Sequence, residues 1–212
     1  MNREPVDVFV RVWSQSMFRA KMAATVIERL SYFDGPETRV LCLVHPETWG
    51  FLTPIGLLPP GWRRGDRCVD VTASADFARA SRLVADDLAR SPVYCLIDDD
   101  QLPLGADWVE RGVTHVEQHP EYVSLSSLSI NEEVAWDPDT EPEVFARGST
   151  GTPCFVRKRT FIDLPPGPAH DYDLTLSRHL RRHGGRVGFM RDVRHNHLGR
   201  DCSQVIPEHW RV

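Results

Sequence analysis

The chain has 212 residues, 41% of them hydrophobic and 26% charged, with a formal net charge of −5. Its longest wholly apolar runs, Val40–Val44 and Val93–Ile97, fall far short of the roughly 20 residues that a membrane-spanning helix needs. The amino terminus, Met1-Asn-Arg-Glu-Pro, has no apolar stretch of the secretory kind, so the expectation is a cytoplasmic globular protein with a core of its own. The five cysteines, at 42, 68, 95, 154 and 202, form no CxxC pair and read as reduced thiols. Charge is uneven: residues 1–150 hold 14 Lys and Arg against 24 Asp and Glu, and residues 151–212 hold 11 against 6. The acidic balance argues against a general nucleic-acid binder, while the basic last third suits an anionic ligand.

Strand and helix patterns alternate along the chain. The nearly apolar, β-branched run Val6–Val12 predicts a strand covered on both faces. Ser16–Phe33 predicts a helix with Met22, Ala23, Val26, Ile27 and Leu30 on one stripe. Arg39–Val44 predicts a second strand. His45–Gly65, rich in proline and glycine, predicts loop with a helical turn, and Arg67–Val71 a short third strand. Ser74–Arg90 predicts a helix capped by Ser74, with Phe77, Ala80, Val84 and Leu88 on its apolar face. Val93–Ile97 is the next strand and Asp107–His119 the next helix, followed by a strand over Tyr122–Leu128. Asn131–Glu143 is acidic and punctuated by proline, which predicts a loop. Then come a strand over Thr152–Val156, a helix over Tyr172–His183 stopped by Gly184-Gly185, and a last strand over Arg186–Val193. Such alternation predicts an α/β fold with parallel crossovers, whose ligands sit beyond the carboxyl ends of the strands.

Asp98-Asp99-Asp100 stands at such an end. Three adjacent carboxylates repel one another unless a positive charge neutralises them. If the strand continues, Asp98 and Asp100 share a side and converge on a hard divalent cation. The other reading is a solvent-exposed acidic turn.

The segment Phe77-Ala-Arg-Ala-Ser-Arg-Leu, followed by Tyr94-Cys-Leu-Ile-Asp-Asp-Asp-Gln-Leu-Pro103, resembles the nucleotide-sugar half of GT-A fold glycosyltransferases, family 2 above all. The resemblance implies a Rossmann-like, mixed but mainly parallel sheet flanked by helices. It implies a single domain over 1–212, with a nucleotide-sugar half to about 105, an acceptor and catalytic half over about 106–200, and a tail over 201–212. It also implies a metal-dependent, inverting transfer from a nucleotide diphosphate sugar, with Mn²⁺ or Mg²⁺ on the diphosphate. Asp98 then lies near the ribose and metal, Asp100 is the metal ligand, and Arg79 or Arg82 runs close to the nucleotide. Gly151-Thr-Pro-Cys-Phe-Val-Arg-Lys-Arg resembles the strand and arginine turn beside the sugar, which places Gly151 at the donor. His170-Asp-Tyr-Asp resembles the start of the helix that carries the general base, with Asp171 the better match and Asp173 the other candidate. Val193-Arg-His-Asn-His-Leu-Gly resembles the strand whose histidine completes the metal shell, with His197 preferred over His195. The chain departs from the family at Trp13-Ser-Gln-Ser and at His45-Pro-Glu, two places that help to bind the base.

The acceptor is open among a sugar, a lipid-linked group, a protein and a modified DNA base. A nucleic acid would have to meet Arg157, Lys158 and Arg159 and a stripe of Arg178, Arg181, Arg182 and Arg186, or of the first three alone if the helix stops at Gly184-Gly185. Trp136, in the acidic loop, is a candidate acceptor contact. A non-catalytic nucleotide- or glycan-binding domain is the competing class. No GxxxxGK[ST] is present, which excludes the P-loop reading, and no GxGxxG follows the first strand, which argues against a dinucleotide enzyme.

Overall fold

Alternation within the first strand sets the frame. Val6, Val8, Val10 and Val12 enter one buried cluster while Phe9 enters another, as period-two side chains of a strand between two helical layers must. The computed structural model describes residues 5–14, 16–31, 38–52, 58, 62, 67–71, 77–130, 144–146, 151–162, 164 and 172–198. Its elements, in chain order, are β1 (Val6–Val12), α1 (Met17–Ser31), β2 (Thr38–Val44), a 3-10 turn (Pro46–Thr48) running into α2 (Trp49–Leu52), β3 (Cys68–Asp70), α3 (Phe77–Leu88), β4 (Val93–Asp98), β5 (Gln101–Leu104), α4 (Trp108–Gln118), β6 (Tyr122–Ser129), β7 (Val144–Ala146), β8 (Cys154–Arg157), α5 (Tyr172–Arg182) and β9 (Arg186–His197).

The nine strands among the described residues form one mixed sheet in the order β3-β2-β1-β4-β8-β6-β9-β5, with β7 also on β9. The block β3-β2-β1-β4 is parallel, so its carboxyl ends open on one side, as the sequence predicts. Strands β4 and β6 run antiparallel to β8, and β6 runs parallel to β9. Helices α1 and α4 bury Val26, Ile27, Trp108 and Val113 on one face of the sheet. Helices α3 and α5 bury Phe77, Ala85, Leu176 and Leu180 on the other. Helix α4 lies so close to the sheet that a Cβ on Gly112 would stand 2.2 Å from the ring of Phe155, which is why that helical position is glycine. At the amino ends of the strands, Asp7 is 1% exposed and accepts from Arg39 Nε at 2.5 Å and from the Arg90 and Ser91 amides at 2.5 and 3.0 Å. It ties β1 to β2 and to the loop before β4.

Three sequence expectations change. Helix α3 buries Phe77, Ser81, Arg82, Ala85 and Asp86, a face rotated from the predicted stripe, with Ala80, Val84 and Leu88 only partly buried. The reason is polar: Asp86 accepts from Tyr94 Oη at 3.0 Å and from the Arg159 amide at 2.7 Å. Strand β5 forms where no element was expected. The last strand runs four residues further, to His197, because β5 pairs with its distal part. Ser74 and the segment 131–143, with Trp136, lie outside the described residues. The four described cysteines are buried and form no disulfide among the described residues. Among the described residues no helix is long and apolar enough to cross a membrane.

Candidate active site

Strand β4 ends at Asp98, and Asp99-Asp100 form a turn into β5. Strict alternation therefore stops there, and each carboxylate takes its own partners. Asp98 accepts from Arg11 Nε at 2.5 Å and Nη2 at 2.8 Å, and from the Thr152 hydroxyl. Its amide donates to Gln101 Oε1 at 2.9 Å, and Gln101 Nε2 reaches Thr152 O at 2.6 Å. Asp99 Oδ2 accepts from the Trp13 amide at 3.1 Å and the Ser14 hydroxyl at 3.3 Å, while Oδ1 accepts from Arg19 at 3.0 Å. Asp100 Oδ2 accepts from Arg19 Nη1 at 2.7 Å and lies 3.4 Å from His197 Nε2. Three carboxylates thus face two guanidinium groups.

The excess negative charge falls on Asp99. Burial first, then Asp100 and Asp98, push its carboxyl up to about 7 against the pull of Arg19. Burial works against the charged form of Asp98 too, but Arg11 and Thr152 hold it below the usual carboxylate range. His197 and Arg19 do the same for Asp100.

A shift in register sets the histidines. Ser127 of β6 faces Met190 of β9, but Leu128 faces Arg194. The residues between bulge, re-aiming the end of β9. Gln101 then faces His197 in the β5–β9 pair, and the Leu198 amide donates to Asp100 O at 2.7 Å. His195 is 4% exposed and its Nδ1 lies 2.6 Å from Ser127 Oγ. Burial, then the nearby His197 and Arg194, push its imidazole down to about 3.

Beside the carboxylates, three aromatic rings line the carboxyl edge. Trp13 stacks on His45 with centroids 4.8 Å apart, and both touch Phe77 at 5.7 and 5.3 Å. Trp13 is 42% exposed. This leaves an open ring beside an acidic cluster already rich in positively charged side chains.

No family model and no curated protein matches the chain. Solved structures do. S. aureus TarS 1–349 superposes with TM-score 0.59 at 13% identity, covering 91% of this chain and 59% of that one. Its complex with UDP-GlcNAc gives TM-score 0.64 at 12% identity, over 91% and 57%. A mycobacterial protein gives 0.58 at 13% identity, over 91% and 67%. The chain has the GT-A fold. It spans just under three-fifths of TarS 1–349.

On this GT-A frame, Asp100 lies 3.4 Å from His197 at the carboxyl edge of β4, while Asp98 turns to Arg11 and His195 to Ser127. Gly151 lies next to Thr152, and its carbonyl accepts from Ser126 Oγ at 2.7 Å. The helix α3 arginines part ways: Arg79 Nε donates to Leu164 O at 2.7 Å, whereas Arg82 is buried and donates to Ala78 O. Asp171 lies outside the described residues, and Asp173 sits in the first turn of α5 with no side chain described. Among the described residues no three His, Cys, Asp or Glu side chains group as metal ligands. Asp100 and His197 supply one carboxylate and one imidazole. That pair fits a divalent cation whose other ligands are diphosphate and water oxygens.

Arg11, Arg19 and Thr152 are not singled out in the sequence, and Trp13 stands there only as a departure from the family pattern. One signal was legible: Arg11 is a charge inside an otherwise apolar strand, which demands a partner.

Proposed function

We propose that this chain transfers a sugar from a nucleotide diphosphate sugar to an acceptor hydroxyl. The observation that carries the reading is the carboxylate cluster at the carboxyl edge of β4, flanked by the exposed Trp13 ring. It sits on a fold shared with a protein crystallised with UDP-GlcNAc. In this reading the base stacks on Trp13 at the ends of β1 and β2. Asp98, fixed by Arg11, accepts hydrogen bonds from the ribose hydroxyls. Arg19 stands 2.7 Å from Asp100, where it also reaches the diphosphate and offsets its charge.

Asp100 and His197 would hold a divalent cation, manganese by the donor set, and such a cation supplies Lewis-acid stabilisation of the leaving diphosphate. Asp171, or Asp173 two residues later, takes the proton of the attacking hydroxyl from the face opposite the diphosphate. A single base and in-line attack invert the anomeric carbon. The acceptor belongs to the classes left open by the sequence.

Release of UDP from UDP-GlcNAc, with water as acceptor, tests the reading. We expect slow release with manganese and none with a chelator. Asp171→Asn should retain donor binding and lower turnover by about 10²–10⁴, the usual worth of a general base. Loss with Asp173→Asn alone would move the base to that residue. Absence of UDP release, together with absence of binding across a panel of nucleotide sugars, would refute the proposal.

A further inference from the structure

A cavity of about 500 Å³ opens at the opposite pole of the sheet, between the turn after β8, the start of β6 and the end of α5. Strand β4 separates it from the carboxylates. Val93, at the start of β4, pairs with Arg157 at the cavity, and Asp98 lies five residues further on. At about 3.3 Å per residue the two sites are roughly 16 Å apart. We propose that this cavity binds a small organic phosphate.

The charge comes first. Arg157, Lys158, Arg159, His179 and His183 line the cavity, and none of the described residues lining it is a carboxylate, in a chain whose net charge is −5. Two of the cations are held in place by carbonyls at the ends of α3 and α4 and at the start of β6. Arg157 donates to Val116 O and to Tyr122 O, and Lys158 Nζ donates to Ala89 O at 2.5 Å. Each keeps further N–H donors for an oxyanion, since a guanidinium has five and an ammonium three. The third cation is Arg159, whose φ of 69° lies in the left-handed region that arginine rarely adopts. Asp86 holds that backbone by accepting from the Arg159 amide at 2.7 Å. The Arg159 side chain is exposed and pairs with no carboxylate among the described residues. Strain of this kind persists where the surroundings over-determine it.

The helix end that would repel an anion is closed off. Gly185 N donates to Leu180 O at 2.9 Å and Gly184 N to Arg181 O at 3.1 Å, a Schellman closure with Gly184 at φ 79°. The α5 carbonyls it uses therefore spend their charge inside the helix. His179 and His183, one turn apart with ring centroids 4.5 Å from each other, add two imidazoles to the wall.

The size and the apolar wall argue for an organic body on the phosphate. A volume of this size is within the usual range of small-molecule sites, about 300–1,000 Å³, and a bare phosphate would leave most of it empty. Val123, Leu180 and Ile162 supply the apolar surface, and Ile162 is a large hydrophobic side chain left exposed. A nucleic acid fits less well. The exposed arginines 178, 181 and 182 are not among the residues lining the cavity, and the predicted stripe through Arg186 breaks because α5 ends at Arg182.

Backbone amide signals followed by NMR during a titration with phenyl phosphate test this. Saturable shifts are expected at residues 157–160 and 183–185, with the Trp13 and Leu198 signals unmoved. Arg159→Gly removes the side chain and relaxes the left-handed backbone, so the fold survives. It should weaken binding about tenfold, the worth of a charged hydrogen bond. Arg159→Lys should weaken it less, because the charge remains. Inorganic phosphate should bind more weakly than phenyl phosphate, and equal affinity would overturn the organic part of the proposal. Failure to saturate, or unchanged binding in Arg159→Gly, would overturn it entirely. So would shifts at these residues with duplex DNA or anionic vesicles when phenyl phosphate gives none.

Discussion

Asp98→Ala separates the structural work of the first aspartate from its work on a ligand. In the structure Asp98 closes both oxygens on Arg11 and Thr152. Removing it takes the carboxylate partner from the Arg11 guanidinium, whose side chain is only 10% exposed, while the Thr152 hydroxyl at 3.2 Å stays. Truncating one partner of a fully buried ion pair costs about 3–5 kcal/mol. The Asp98 side chain is 27% exposed, so water recovers part of this, and we expect a loss of about 2–3 kcal/mol at pH 7. The loss depends on pH with a definite sign. The Asp98 carboxyl titrates lower in the folded chain than in the unfolded one, where it lies near 3.9. Its stabilisation is therefore complete above that value and is lost as pH falls through the folded value. Urea unfolding of wild type and Asp98→Ala should give curves well separated at pH 7 that converge below about pH 4. A difference under about 0.5 kcal/mol at pH 7, the level of an ordinary surface change, would refute the closed Arg11–Asp98 pair. So would a gap that persists undiminished in acid.

Other predictions follow the same physics. Asp7→Asn should destabilise by about 3 kcal/mol, because it breaks a buried pair with Arg39 at the other end of the sheet; unaltered urea midpoints would contradict this. The Asp7 carboxyl is lowered, burial opposing and Arg39 favouring, so this loss also fades as pH falls through the folded value. Gly112→Ala should lower the melting temperature, since a Cβ 2.2 Å from Phe155 costs more than the ~1 kcal/mol that alanine gains in helix propensity; an unchanged or higher value would refute the close packing. Trp13→Ala should weaken UDP binding by about 1–3 kcal/mol, the worth of one base stack, with little change in stability; calorimetry showing equal affinity would remove Trp13 from the donor site.

Period-two strands and the carboxyl-edge rule made the parallel half legible, and with it the place of Asp98. The α3 face was not legible, because Arg82 and Asp86 are charged residues turned inside, and Asp86 is held there by Tyr94 on the next strand and by the Arg159 amide 73 positions away. Strand β5 carries a proline in four residues, Gln101–Leu104, and has no pattern of its own apart from β9. The end of β9, Arg-Asp-Val-Arg-His-Asn-His, is too polar to read as strand and exists through pairing with β6 and β5. The aspartate triplet suggested a cation, and the structure places Arg11 and Arg19 there. Those residues are 87 and 81 positions away in sequence, so no local pattern could pair them.

On the proposed function, a nucleoside diphosphate binds at the carboxyl edge of β1 and β4. Calorimetric titration of UDP in the presence of manganese into wild type and Asp100→Ala tests it most directly. Saturable binding to the wild type, lost in Asp100→Ala while that variant stays folded, is the expected result. Equal affinity in the two proteins would contradict it.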